Sequence, residues 1–334
     1  MSILKQIAER SGVSVATVGH ILGSKPHRHS KDTSRRVIEN AALLGYRPNS
    51  SAKAVASGRF HCVTLLLSTD PHRSNVPDKL LCGIYDALAA NDYHLNVVRL
   101  TDETLSQPSL PKFLCQRMTD GILVNYTDRI PQPLLDGIRA DRAPAVWLNS
   151  KQDADCVRPD DFGAGKLATE HLLELGHRNI LYAVYDTQHY SGEDRYRGYR
   201  AAMEAAGLPA RLERHVASIA DWVSIARNWF QLPDPPTGVV AYGKYPGQAI
   251  AYAGHLRGMR VPDDFSLVVF EGSPAVDDTT GTEYTTCLVP ERELGAAAVD
   301  MLFKKIEEPA VTRPSTPIPF SLSEPFSSAY CTRK

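Results

Sequence analysis

The feature that most constrains this chain begins at residue 62, where short β-rich runs alternate with amphipathic stretches through most of the remaining sequence of 334 residues. "CVTLLLS" (62–68), "HLNVVRL" (94–100), "DGILVNY" (120–126), "APAVWLN" (143–149), "NILYAVY" (179–185), "TGVVAYG" (237–243) and "FSLVVFE" (265–271) read as buried parallel strands. Helical patterns such as "LLCGIYDALAAN", "GAGKLATEHLLELG" and "DRYRGYRAAMEAAG" lie between them. Strand–helix alternation predicts doubly wound parallel sheets, with ligands at the carboxyl ends of the strands. The stretch is too long for one such sheet around one core, so two α/β lobes with a cleft between them are expected.

The first 59 residues read differently. Leu4, Ile7 and Ala8 share one helix face, Gly12 supplies a turn, and Ser14 is a good N-cap for a second helix with Val18, Ile21 and Leu22 inward. Two short helices joined by a tight glycine-containing turn make a helix-turn-helix. Ser30 then caps a longer helix whose Val37, Ala41 and Leu44 face inward. In this motif the N-terminal part of the second helix meets base edges in the major groove of double-stranded DNA. Val15 and Ala16 are therefore candidate apolar contacts to thymine methyls, and His20 a candidate donor to guanine N7 or O6. Thr17 would face a phosphate or a thymine methyl, Ser14 would offer its hydroxyl and backbone N–H to a phosphate, and Lys31 is a further candidate contact. Gly19 inside the helix costs about 1 kcal/mol relative to Ala, which a close approach to the DNA backbone would offset.

Charge separates the two regions as well. Residues 1–59 hold ten Lys/Arg and three Asp/Glu, a net +7, while the remainder holds 27 basic and 35 acidic residues, a net −8. A basic head on an acidic body is an electrostatic footprint for a polyanion. No apolar run approaches the ~18–20 residues needed to cross a bilayer, and "MSILKQIAER" has no signal-peptide core, so a cytoplasmic protein away from the membrane is expected. The six cysteines are scattered without a C-x-x-C pair, which predicts reduced thiols rather than disulfides or a zinc site. "GAGKLA" matches a dinucleotide-binding fingerprint but follows "RPDDF" rather than a strand, so no cofactor is expected. His27, His29, His72, His171 and His177 lack partners at metal-ligand spacing, and no nucleophile elbow or acid–base pair nominates an enzyme.

The run "ILKQIAERSGVSVATVGHILG" followed by "LGYRPN" resembles the DNA-binding head of the lactose-repressor (LacI/GalR) family. The family usually continues "TVSR" where this chain has Thr17-Val18-Gly19-His20, so the usual operator sequence is not expected here. By the same resemblance "RPNSSAKAVASGR" is the hinge helix that pushes an apolar wedge into the minor groove and kinks the duplex. The wedge position is Val55 rather than the usual leucine, so a shallower wedge is implied; Asn49, Ala52 and Lys53 are hinge candidates for DNA contact, with Arg59 on a flanking phosphate.

The body resembles the family's effector-binding core, itself similar to periplasmic sugar-binding proteins. "TDGILVNY", "HLLELGHRNI", "RYRGYRAAM", "GMRVPDDFSLVVFE", Thr285-Thr286 and "ELGAAAVDML" carry the likeness. It implies a DNA-binding domain at 1–48, a hinge at 49–60 and a core at 61–334 that binds the effector and dimerises. Lobe one would cover about 61–158 and 291–318, and lobe two about 159–290 and 319–330. Arg195 matches the arginine that grips ligand hydroxyls or carboxylates; Asn125 and Asn149 sit at strand ends, Ser191 can add a hydrogen bond, and Trp222 can stack on a sugar ring. Gly243-Lys244 replaces the family's Asn-Asp and Glu271 its aspartate, so Lys244 with Arg195 would favour an anionic effector such as a sugar acid or sugar phosphate.

Together these readings predict an all-α helix-turn-helix head on a periplasmic-binding-protein-like α/β body. The chain would be a homodimeric repressor, neither enzyme nor membrane protein, that binds operator DNA and a sugar-like effector without a cofactor. The alternatives are an activator or corepressor-dependent regulator, for instance purine-responsive, and, more remotely, a solute-binding protein.

Overall fold

The structure, a computed structural model, describes residues 2–332 except 24–28, 48–53, 55–57, 106–117, 142, 186–188, 216–218 and 279, and gives the backbone alone at 141, 215, 219 and 220. Contacts divide it into two compact units, residues 1–61 and 62–334. The hinge candidates Asn49, Ala52, Lys53 and Val55 lie outside the described residues.

The first unit is three helices: α1 (Ile3–Ser11), α2 (Val15–Leu22) and α3 (Lys31–Leu43). Their apolar periodicity closes a small core of Ile7, Ala8, Val18, Ile21, Val37 and Ala41, with Leu4, Leu22 and Leu44 packed against it. Gly12 ends α1 at φ +62°, a left-handed conformation that costs a glycine least, and lets the chain turn within three residues into α2. The Ser14 and Ser30 hydroxyls cap α2 and α3 by accepting from the N–H groups of Thr17 and Thr33, at 3.1 and 3.2 Å. Asn40 Nδ2 donates to Ser11 Oγ at 3.0 Å and ties α3 to α1.

The second unit holds two six-stranded sheets. One has the order β11-β5-β4-β3-β1-β2 and the other β12-β10-β9-β8-β6-β7, parallel throughout except for the antiparallel β12. The strands are β1 (Cys62–Ser68), β2 (His94–Leu100), β3 (Gly121–Asn125), β4 (Ala145–Leu148), β5 (Cys156–Pro159), β6 (Ile180–Tyr185), β7 (Arg211–His215), β8 (Gly238–Ala241), β9 (Ser266–Glu271), β10 (Thr285–Leu288), β11 (Thr316–Ile318) and β12 (Ser321–Leu322). The chain crosses between sheets after β5, after β10 and between β11 and β12, so neither lobe is continuous in sequence. All seven apolar runs read from the sequence are strands; β5, β7, β10, β11 and β12 are too short or too charged to show the period.

The helices after α3 are α4 (Asp78–Ala89), α5 (Asp102–Leu105), α6 (Gln132–Asp141), α7 (Asp161–Glu174), α8 (Ser191–Ala205), α9 (Ile219–Trp229), α10 (Lys244–His255) and α11 (Glu291–Glu307). Two helix pairs meet backbone to backbone. A Cβ at Gly165 of α7 would stand 1.9 Å from the Arg195 carbonyl oxygen of α8, and one at Gly198 of α8 would stand 2.0 Å from that of Phe162. Gly83 of α4 and Gly295 of α11 pair in the same way. In "GAGKLA", Gly165 therefore serves the packing of α7 on α8 and Gly163 leaves room for the capping Asp160 carboxylate, 2.3 Å from where its Cβ would stand, so the run is part of a helix rather than a phosphate loop. Among the described residues no helix is long and apolar enough to cross a membrane.

Candidate functional site

On α2 the apolar spacing that buries Val18 and Ile21 leaves Val15, Ala16, Gly19 and His20 exposed together on the opposite face. Val15 is 41 % exposed and so presents its branched side chain on this face. The hydroxyls of Ser14 and Thr17 are 3.0 Å apart, so both are engaged at the helix start and the hydroxyl expected to meet a phosphate already serves the cap. The His20 ring stacks on that of His29 with centroids 6.0 Å apart. Lys31 is exposed at the first position of α3, beside the exposed Arg35 and Arg36.

In the body, the candidate effector residues fall into three places. Asn125 ends β3, Asn149 follows β4, and Ser191 and Arg195 open α8. The Arg195 Nε donates to Asp161 Oδ1 at 2.8 Å, its Nη1 to the Tyr242 carbonyl at 3.3 Å, and its guanidinium lies 4.5–5.4 Å from the ring centroids of Phe270, Tyr242 and Phe320. Burial opposes the guanidinium charge, but the Asp161 carboxylate more than offsets it, and the Arg195 pKa is raised. Asp161 came unannounced from the sequence. The signal was the acid pair in "RPDDF", of which Asp160 caps α7 through Gly163 N at 3.0 Å, leaving Asp161 to the arginine.

Ser191 sits in a directional chain. Its backbone N–H donates to His189 Nδ1 at 3.2 Å, so that nitrogen is an acceptor and the ring proton is on Nε2. The Ser191 hydroxyl therefore donates to the same Nδ1 at 2.7 Å and accepts from the Tyr242 hydroxyl at 2.6 Å. Burial and the nearby Arg195 push the His189 pKa down to about 4, so the ring stays neutral and keeps this role near neutral pH. Asn149, at φ +53°, accepts through Oδ1 from the Tyr190 hydroxyl at 2.9 Å. Asn125 is fully buried and its Nδ2 donates to the Leu148 carbonyl at 3.4 Å.

Lys244 and Glu271 lie elsewhere, lining a hollow of about 560 Å³ between the two lobes with Asp78, Lys79 and Glu291. Glu271 Oε1 accepts the Lys244 backbone N–H at 2.9 Å and so caps α10. The Lys244 ammonium is 2.7 Å from Asp278, and the two carry opposite charges that hold each other. Lys244 and Arg195 each face a carboxylate of the chain itself, Asp278 and Asp161, which counts against the anion reading. The Trp222 reading needs correcting. Trp222 is 2 % exposed, packs edge-on to Trp229 at 6.0 Å, and belongs to the apolar core beneath α9 and α10, so it presents no open face to a sugar ring.

Among the described residues, the buried side-chain atoms without a hydrogen-bond partner include Asn125 Oδ1, Ser150 Oγ and Asp161 Oδ2. They stand at the carboxyl ends of β3, β4 and β5, which are neighbours in one sheet. That is the crevice where open α/β sheets hold ligands. Two of the three atoms can only accept, so the complementary ligand group is a donor. Among the described residues no cluster of His, Cys, Asp and Glu has the arrangement of a metal site.

Residues 3–49 match the family of bacterial regulatory proteins, lacI family, and residues 169–324 match a periplasmic binding protein-like domain. The repressor PurR of Photobacterium profundum is 24 % identical over 317 residues, covering 92 % of this chain and 93 % of the relative. The ribose operon repressor of Halalkalibacterium halodurans is 26 % identical over 322 residues, covering 92 % and 91 %. Among solved structures, the Lac repressor dimer bound to operator and the anti-inducer ONPF is 20 % identical, covers 98 % of each chain and superposes with a TM-score of 0.77. The CelR–cellobiose complex is 21 % identical, covers 97 % of this chain and 99 % of its own, with a TM-score of 0.63. With this head, these two sheet-built lobes and relatives that are transcriptional regulators, the chain joins a DNA-binding domain of the lacI family of bacterial regulatory proteins to a periplasmic-binding-protein-like domain.

Proposed function

We propose that this protein is a homodimeric transcriptional repressor whose operator affinity responds to a small, neutral, hydroxyl-bearing molecule held between its two lobes, and that it acts in the cytoplasm. Val15, Ala16 and His20 read base edges; Ser14 through its backbone N–H, Thr17 and Lys31 hold phosphates; Asn49, Ala52, Lys53 and Val55 belong to the hinge that bends the site. The exposed α2 face, apolar but for one imidazole, supports readout by thymine methyl contact and a single histidine rather than an arginine fork. Exposed Tyr245, Tyr252 and Leu256 form one stripe along α10, the kind of apolar face that a second copy covers.

The observation that carries the effector class is the row of unpartnered atoms on Asn125, Ser150 and Asp161. Each such atom costs about 1–3 kcal/mol while unpaired, and sugar hydroxyls supply the missing donors. Arg195 and Lys244 are already paired with Asp161 and Asp278, which supports a neutral ligand over the anionic alternative. A thermal-shift panel of neutral sugars, sugar acids, sugar phosphates and purines tests this, since a ligand at ~100 times its dissociation constant adds about 2.7 kcal/mol. A neutral sugar giving the larger shift is expected. A sugar acid or phosphate binding more tightly than its neutral parent overturns the effector class, and operator binding by the purified dimer, measured separately, tests the repressor reading.

A further inference from the structure

One residue ties together most of the cleft that the proposed effector would enter, and the resemblance that singled out Ser191 and Arg195 passed over it. Tyr190 immediately precedes α8 on lobe two, and its ring stacks on His189 with centroids 4.4 Å apart. Across the cleft its hydroxyl donates at 2.9 Å to Asn149, just after β4 of lobe one. Two residues further along that loop, the Lys151 ammonium meets both carboxylate oxygens of Asp194 at 2.8 and 3.0 Å and lies 5.8 Å from the centre of the Tyr190 ring. The Asp194 side chain is 5 % exposed, so this pair is shielded from solvent on one side. Burial keeps the Tyr190 phenol protonated and therefore a donor.

We propose that Tyr190 stands in the interlobe cleft as a built-in ligand: its hydroxyl takes the Asn149 acceptor, and together with the Lys151–Asp194 pair it closes the lobes before an effector arrives. Tyr190 thereby decides which effectors are accepted. A molecule that needs Asn149 must displace the phenol, whereas one that uses Asn125, Ser150 and Asp161 binds beside it. Both contacts join the same two segments, the loop after β4 and the first turn of α8, so they open together or not at all. A third bridge, from Lys79 Nζ to the Gly272 carbonyl at 2.7 Å, acts in the same sense at the hollow lined by Lys244.

This inference rests on the interlobe effector reading, and its test uses neither effector nor DNA. Donor and acceptor dyes are attached through non-natural amino acids at exposed Arg139 of lobe one and Arg227 of lobe two, and lobe separation is read by single-molecule energy transfer on the full ligand-free chain. The wild type is expected in a predominantly short-distance state. Tyr190→Phe with Lys151→Met, which keeps the ring and the aliphatic stem, should raise the open-to-closed ratio about tenfold or more. Lys151→Arg, retaining the charge, should leave the wild-type distribution. Matching distributions for the wild type and the double variant, or a wild type already open, overturn the proposal. If D-ribose and cellobiose fail to bind the wild type in a separate titration, the effector reading weakens while the distances still decide the latch.

Discussion

Arg195 and Asp161 show how little a single residue type determines by itself. Each is costly to bury, and each is tolerated because the other lies 2.8 Å away. Asp161→Ala should cost about 3–5 kcal/mol, because a buried guanidinium is left without its counter-charge, whereas Asp161→Leu with Arg195→Met should recover most of that loss. Urea unfolding of the three proteins checks both; a double variant as unstable as the single one would show that the loss comes from packing. At the other end of the chain, His20 lies on an exposed face with no long basic neighbour on its helix. His20→Ala should weaken binding to an operator selected in vitro by about 1–3 kcal/mol and leave binding to random DNA nearly unchanged. Equal losses on both DNAs would assign His20 to the phosphate backbone.

Among the elements, glycines with opposite surroundings give a matched pair of expectations. A Cβ at Gly165 would stand 1.9 Å from the Arg195 carbonyl oxygen, and a backbone atom cannot rotate away. Gly165→Ala must push α7 off α8, and a loss of about 1–3 kcal/mol or more is expected in thermal unfolding of the body. Gly19 of α2 has no atom within 4 Å of an added Cβ. There Gly19→Ala should stabilise the head by up to about 1 kcal/mol. If it also weakens operator binding, the bare Gly19 face approaches DNA closely; unchanged affinity would leave the glycine without a DNA role. Both glycines look alike in the sequence, and only their neighbours separate them.

Across the whole molecule, acid should act through buried histidines. His177 hydrogen-bonds Thr237, Ser266 and the Ala329 carbonyl, and His171 bonds Ser328, so the C-terminal segment is fastened to lobe two through two imidazoles. Burial lowers the pKa of both, and that of His189 to about 4. An unfolded histidine protonates near ~6.5, so the unfolded chain binds protons first as the pH falls. Stability should therefore be fully present above about 6.5 and decline below it, toward the depressed folded values, by up to about 1.4 kcal/mol per pH unit for each group. Denaturant midpoints between pH 7.5 and 5 would show this as a steady fall, and a flat profile would contradict it. The basic head on an acidic body predicts in turn that operator affinity drops steeply with salt, with a log–log slope of about −0.9 for each phosphate neutralised.

What the sequence determined by itself is what depends on near neighbours along the chain. The 3.6-residue period and the Ser14 and Ser30 caps specify the three head helices, and unbroken apolar runs specify the central strands, because each signal acts within a turn or a strand length. Position also singled out Arg195 and Ser191, through a motif at the start of one helix. The tertiary structure alone decided who meets them. Asp161 is 34 residues from Arg195, Tyr190 is 41 from Asn149 and Asp278 is 34 from Lys244, and each pairing turns a group that reads as available into one already engaged. Trp222 went the same way, its ring claimed by a core that no local pattern announces. Local chemistry names the groups a site can use, but whether a charge, an acceptor or a ring remains free for a ligand is settled by what the fold brings within about 3 Å of it.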